Sequence, residues 1–257
     1  MALAPVTRRE VLVPLALSGW FLAALEGCRE AHAKRPLFVA AASSLRGLFE
    51  DVRSTVQGTR IDYSFEASST LARQIAAGAR FDVFVSADER SLERLKGWGR
   101  GPSRSFLGNR LALVGSRKPG AGTELPAVEH PQELGRLEGT IAIGAPEVPA
   151  GRYARAWLEA RGLSFEERFV HGRNGRAVLG LVESGAADYA FVYHSDALRA
   201  RKARHLWSAA PEEEPRIFYR AQVAGDAPDE AQGFLDWLVQ GGLDSAARAL
   251  GFTVSQG

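Results

Sequence analysis

Residues 63–88, YSFEASSTLARQIAAGARFDVFVSAD, constrain the fold more than any other stretch of the chain. Ile61, Tyr63 and Phe65 alternate with polar residues, the period of a half-buried strand. Ser68, Ser69 and Thr70 follow, and Leu71 and Ile75 then stand four apart on one face of a helix. Hydroxyl residues ahead of such a pattern favour N-caps. Gly78 fits the stop of that helix. Phe81 to Val85 is a near-continuous apolar run, as in a strand covered on both faces. The local order is strand, serine turn, helix, strand. The turn itself is either an ordinary cap or an anion site, because free N–H groups and the helix dipole converge at a helix start.

The same unit occurs once before. Leu37 to Ala42 is an apolar strand, Ser43 and Ser44 follow, and Leu45, Leu48, Phe49 and Val52 fall at i, i+3, i+4 and i+7. Two strand–serine–helix units in succession imply parallel strands joined by crossover helices. Ligands gather at the carboxyl ends of such strands, where Ser43/Ser44 and Ser68/Ser69 would both lie. The repetition moves weight from the cap towards the site.

Further along, a Gly108-Asn109 turn leads into a strand over 110–115, and 121–131 reads as a loop. A short strand over 141–143 precedes Ala145-Pro146-Glu147-Val148-Pro149-Ala150-Gly151 and a helix over about 153–161 with Ala154, Trp157 and Leu158 inward. Asn174-Gly175 opens a helix that buries Val178, Leu179 and Val182. A strand over 188–193 ends in the hydroxyl of Tyr193, and Ser195 and Asp196 read as the cap of a short helix. The stretch 207–215 is acidic and loop-like, 217–223 is a strand, and two helices close the chain.

Composition excludes several classes. The chain has 257 residues, a net charge of +2 and no block of like charge, which gives nucleic acid nothing to hold. One Cys and five scattered His leave no internal disulfide and no metal-ligand spacing. No phosphate-binding glycine loop and no nucleophile elbow is present. The first residues differ from the rest. Arg8-Arg9 precede an apolar run over 11–25 that is broken by Pro14 and Ser18, and Ala31-His32-Ala33 closes it. That is a secretory leader over 1–33, with a partial twin-arginine context. The run is too short for a membrane span. Leu25-Glu26-Gly27-Cys28 also reads as a lipobox, so Cys28 is either a lipid anchor or a discarded leader residue.

AAASSL at 40–45, ASSTLARQIAAGARFDVFVSAD at 67–88, VPAGRYA at 148–154, NGRAVLGLVESGAADYAFVY at 174–193 and GFT at 251–253 together resemble the periplasmic molybdate-binding proteins of ABC importers, over about 37–252. The resemblance implies a two-lobed α/β fold of the type II periplasmic-binding-protein kind. Each lobe is a mixed sheet flanked by helices, and the ligand lies in the cleft between them. One lobe would comprise 36–107 and 219–257, the other 108–218, with hinges near Gly108-Asn109 and Phe218-Tyr219. It implies a monomer that binds molybdate, with tungstate close behind, and passes it to a membrane permease. No cofactor and no enzymatic role is implied, and molybdenum is bound only as its oxyanion. Carried over by motif, the donors are Ser44, Ser68, the backbone N–H groups of Ala150 and Gly175, and the phenol of Tyr193. Ser43 and Ser69 are additional candidates.

Neutral donors at helix starts suit a dianion that must later be released. Arg46 and Arg176 beside these turns read as surface charges. Three alternatives stand: a receptor for another tetrahedral oxyanion such as sulfate, an enzyme on the same fold, and the effector lobe of a DNA-binding regulator. No acid–base pair near the serine turns speaks for the second, and no N-terminal helix-turn-helix for the third. None of the proposed donors titrates below about pH 10, so binding is expected to be flat with pH near neutrality.

Overall fold

The structure, a computed structural model, describes residues 35–52, 56, 58–117, 128, 131–136 and 138–254. The leader over 1–33, Cys28 and most of the loop at 121–131 lie outside the described residues.

Two mixed sheets organise the chain. The first has six strands: β1 (Leu37–Ala42), β2 (Ile61–Glu66), β3 (Val83–Ser86), β4 (Arg104–Asn109), β10 (Ile217–Val223) and β11 (Thr253–Val254). Their spatial order is β11-β4-β10-β3-β1-β2. The two serine units give the parallel part, with β1 paired to both β2 and β3, while β10 runs antiparallel between β3 and β4. The second sheet has five strands: β5 (Leu111–Ser116), β6 (Ile141–Gly144), β7 (Phe169–Gly172), β8 (Tyr189–Tyr193) and β9 (Ala203–Ser208), in the order β7-β6-β8-β5-β9. Again β6, β7 and β8 are parallel and β5 is antiparallel to its neighbours. Arg110 alone separates β4 from β5, so the chain passes between sheets there, and it returns between Ser208 and Ile217.

Helices cover the sheets through their apolar faces. α1 (Arg46–Val52) follows a 3-10 turn over Ser43–Leu45 and packs Leu48 and Phe49 into the first sheet's core. The ring of Phe49 stacks on Tyr63 at 5.0 Å. α2 (Ser68–Ala76) sends Leu71, Ala72 and Ile75 against Ala40 and Phe84, and is joined there by Leu92 of α3 (Glu89–Glu93). α4 (Pro149–Glu159) buries Ala154, Trp157 and Leu158 against Leu113, Ile143 and Phe191. α5 (Gly175–Ser184) buries Val178, Leu179 and Val182 on the sheet's other face. Each large aliphatic side chain so buried contributes about 1.5–3 kcal/mol. α6 (His194–Arg199), α7 (Asp229–Val239) and α8 (Asp244–Ala249) complete the set. Among the described residues no helix is long and apolar enough to cross a membrane.

Several local expectations need correction. Gly108 and Asn109 are not a turn but the end of β4. A Cβ on Gly108 would sit 2.2 Å from Thr253 Oγ1 and 3.3 Å from Ile217 O, so any side chain there must displace Thr253 of β11. Trp207 lies in β9, not in a loop, and its indole meets Trp157 at 4.7 Å between ring centres. Ser195 and Asp196 lie inside α6, whose N-cap is Tyr193. The strand β4 and the helix α3 had no counterpart in the sequence reading.

Candidate functional site

The starts of α1's 3-10 turn, α2, α4 and α5 and the end of β8 meet around one cavity of about 10 Å³. Ser43, Ser44, Ser68, Ala150, Gly175 and Tyr193 all line it, together with Ala42, Glu66, Ala67, Ala87, Val148 and Pro149. Ser69 is not among the lining residues. It is 1% exposed and its Oγ has no hydrogen-bond partner. Neither Lys nor Arg contributes to the lining.

Neither serine pair caps its helix. The N-caps are Ala42 and Ala67, both without a side-chain cap bond. The hydroxyls of Ser44 and Ser68 bond elsewhere. Ser68 Oγ accepts the Ala87 N–H at 3.0 Å, fastening the start of α2 to the end of β3. Accepting that bond leaves the serine's own proton to donate. Ser44 Oγ is 2.8 Å from Tyr219 Oη.

α4 begins with Val148 as its extended N-cap and Pro149 at the first helical position. Proline has no N–H, so Ala150 carries the first free donor of a helix whose opening turn has no internal acceptors. The helix can start this close to β6 because Gly151 has no side chain. A Cβ there would lie 2.1 Å from Gly144 O. α5 begins at Gly175, and Asn174 caps it by accepting the Ala177 N–H at 2.9 Å. The Asn174 amide also donates to Glu66 Oε2 at 3.0 Å, linking α5 to the end of β2.

Tyr193 closes β8 and is 3% exposed, with an Oη that has no hydrogen-bond partner. Burial, followed by the nearby Tyr219, Tyr153 and Asp196, pushes its phenol well above its usual value of 10.0, so it stays a neutral donor. A buried hydroxyl left unsatisfied costs about 1–3 kcal/mol. Nearby, Arg152 of α4 pairs with Asp88, and Tyr153 Oη donates to Ala87 O at 3.1 Å. The site's chemistry is thus a set of hydrogen-bond donors at helix starts, with positive dipole ends aimed inward. It suits an anion rich in acceptor oxygens. Among the described residues no group of His, Cys, Asp and Glu could hold a metal ion.

A second cavity, of about 880 Å³, shares Ser43 and Ser44 with the first. Arg46 and Arg176 line it, together with Arg199, Arg201 and Lys202 and the acidic Glu50 and Glu183; Arg176 is exposed and Arg46 pairs with Glu50 at 3.4 Å, as surface charges do. Asp196 also lines this space, and its Oδ2 is 3.6 Å from where a Cβ on Gly175 would stand. Burial raises its carboxyl to about 7, against the pull of Arg176 and Arg199. In the sequence this group reads only as an apparent cap.

Two mixed sheets with donors gathered at helix starts define a solute-binding protein, and the chain belongs to the family of bacterial extracellular solute-binding proteins, whose description it matches over residues 37–253. Among its relatives is the molybdate-binding protein ModA of Escherichia coli (strain K12), 30% identical over 227 residues that cover 84% of this chain and 88% of that one. The periplasmic molybdate-binding protein of Azotobacter vinelandii superposes with a TM-score of 0.73 at 25% identity, covering 86% of this chain and all of the other. The sulfate-binding protein SubI of Mycobacterium tuberculosis superposes almost as well, with a TM-score of 0.72, 14% identity, and coverage of 87% and 88%. The fold by itself therefore does not select the anion.

Proposed function

We propose that this chain captures molybdate outside the cytoplasm, with tungstate as a second ligand, and delivers it to the membrane permease of an ABC importer. The observation that carries this reading is Tyr193 Oη. It is buried, without a hydrogen-bond partner, and lines the same cavity as Ser44, Ser68, Ala150 and Gly175. An oxyanion there receives donors from five chain segments and satisfies the orphaned phenol. A cavity of about 10 Å³ holds about one water molecule. Capture of a tetrahedral ion thus requires the two sheets, as lobes, to part and close again around it. Arg110 and the return segment after Ser208 are where such a hinge would turn. The protein acts as an exported monomer, soluble or held by lipid at Cys28.

Selectivity follows from dehydration. A dianion leaving water must find a donor for every oxygen. Sulfate has shorter bonds to oxygen than molybdate, so a ring of donors set for the larger ion leaves it short of contacts. The test is a thermal-shift panel on the chain from residue 34. At a hundredfold excess over Kd, molybdate and tungstate should each add about 2.7 kcal/mol, or about 5–10 °C in Tm for a chain of this size. Sulfate at equal concentration should add little. A sulfate shift without a molybdate shift would reassign the ligand.

A further inference from the structure

Tyr219, far from the serine turns in sequence, touches one of the proposed donors. It lies in β10, is fully buried, and its Oη stands 2.8 Å from Ser44 Oγ. Either oxygen could donate in that contact, and the rest of the network decides which does. Asn109, at the end of β4, donates from Nδ2 to Ser195 Oγ at 2.8 Å and to Tyr219 Oη at 3.1 Å. Its Oδ1 accepts the backbone N–H of Arg110 at 2.9 Å and of Ser195 at 3.4 Å. Turning the amide over would set an NH₂ against two N–H groups, so its orientation is fixed by backbone donors that cannot reverse. Tyr219 Oη therefore accepts from Asn109. Its single proton goes to its other partner, Ser44 Oγ. Ser44 then accepts from below, and its own proton is left for the cavity.

We infer that Tyr219, oriented by Asn109, is a positioning residue that fixes Ser44 as a donor towards the bound anion, an inference that rests on the function proposed above. Without it the serine rotor chooses among directions, and an oxyanion must spend binding energy to turn it. With it, the donor is set before the anion arrives, which is where preorganised sites gain affinity. The relay also separates Ser44 from Ser43: both line the cavity, but the network reaches Ser44 alone among the two.

The test is a double-mutant cycle read by calorimetry with sodium molybdate. Tyr219→Phe keeps the ring against Phe252 and Tyr193, whose centres lie 5.7 and 6.4 Å away. It should weaken binding about tenfold with Ser44 present, and by less than about twofold in the Ser44→Ala background, since coupling appears only between groups that act together. Asn109→Asp keeps the acceptor for both backbone N–H groups but can no longer donate. The Tyr219 proton then turns to Asp, and Ser44 must donate to Tyr219 instead of to the anion. This variant should weaken binding more with Ser44 present than without it. Equal losses in both backgrounds, or no loss for either variant, overturn the relay. A parent protein that binds no molybdate overturns the proposed function and the relay with it.

Discussion

The amide of Asn174 donates from Nδ2 to Glu66 Oε2 at 3.0 Å while its Oδ1 accepts from Ala177 N–H at 2.9 Å. One side chain thus caps α5 and holds a carboxylate that lines the candidate site. A carboxylate beside an anion opposes its binding, and here it is retained for the hydrogen bond it accepts. Glu66→Gln keeps an acceptor oxygen for Asn174 and removes the charge. Molybdate should bind about tenfold tighter to this variant, and the gain should shrink as salt screens the charge. Titration calorimetry at two ionic strengths checks both signs.

Tyr193→Phe and Ser68→Ala should separate stability from binding. The phenol of Tyr193 has no partner, so its removal relieves a buried unsatisfied group and should leave the ligand-free Tm unchanged or raised. Ser68 Oγ holds the Ala87 N–H, so Ser68→Ala orphans a buried donor and should lower the ligand-free Tm. Under the proposed function each variant also loses one hydrogen bond to a charged ligand, worth about 1.5–3 kcal/mol, and affinity should fall about tenfold to a hundredfold. Melting curves with and without molybdate resolve the two effects.

Gly151→Ala forces a methyl group against Gly144 O and must push the first turn of α4 away from β6. The Ala150 N–H moves with that turn. Molybdate affinity should drop at least tenfold, with a stability loss of about 1–3 kcal/mol typical of overpacking. Urea denaturation and calorimetry on the same preparation give both numbers.

The donors themselves give a flat pH profile, but two neighbouring groups have shifted pKa values, Asp196 upwards and His194 downwards. Asp196 is raised by burial from 3.8 to about 7. The folded state keeps its proton in that window while the unfolded state loses it, so this group contributes stability that falls as pH rises towards 7. His194 is lowered from 6.5 to about 4 by burial, then by Arg110 and His205. The unfolded state takes up its proton first, so this contribution falls as pH drops from 6.5 towards 4. The two oppose each other between about 4 and 6.5. Asp196→Asn should therefore expose a stability that rises with pH across that window, and His194→Gln one that falls. Bound dianion also favours protonated Asp196, so molybdate affinity should weaken as pH passes 7. Chemical denaturation at half-unit pH steps, and calorimetry in buffers of different ionisation enthalpy, test these signs.

The parts of the site that sequence made legible are those whose signal is local. A serine turn after an apolar strand, proline and alanine at the opening of α4, and a tyrosine closing a buried strand each announce themselves within about ten residues. The seven residues singled out include six that line one cavity, and Ser69 is the exception. What stayed hidden depends on distance along the chain. Tyr219 meets Ser44 across 175 positions, and nothing in the pattern of β10 marks one of its residues as a partner for a turn at the other end. Asn109 followed a glycine and therefore read as a turn, although the glycine answers to Thr253. Strand β9 carries Arg204 and His205 on a sheet edge, which breaks the apolar alternation by which strands are recognised.

Strand order has a consequence for how the chain is made. The five-stranded sheet draws on one uninterrupted segment, from β5 to β9, and can assemble as soon as that segment exists. The six-stranded sheet cannot, because β3 and β4 do not touch until β10 enters between them from more than a hundred residues later. During synthesis the all-buried edge of β3 stays bare, and a bare apolar edge invites pairing with other chains. A chain truncated before Ile217 should therefore aggregate more readily than the full chain, which light scattering on the two would show.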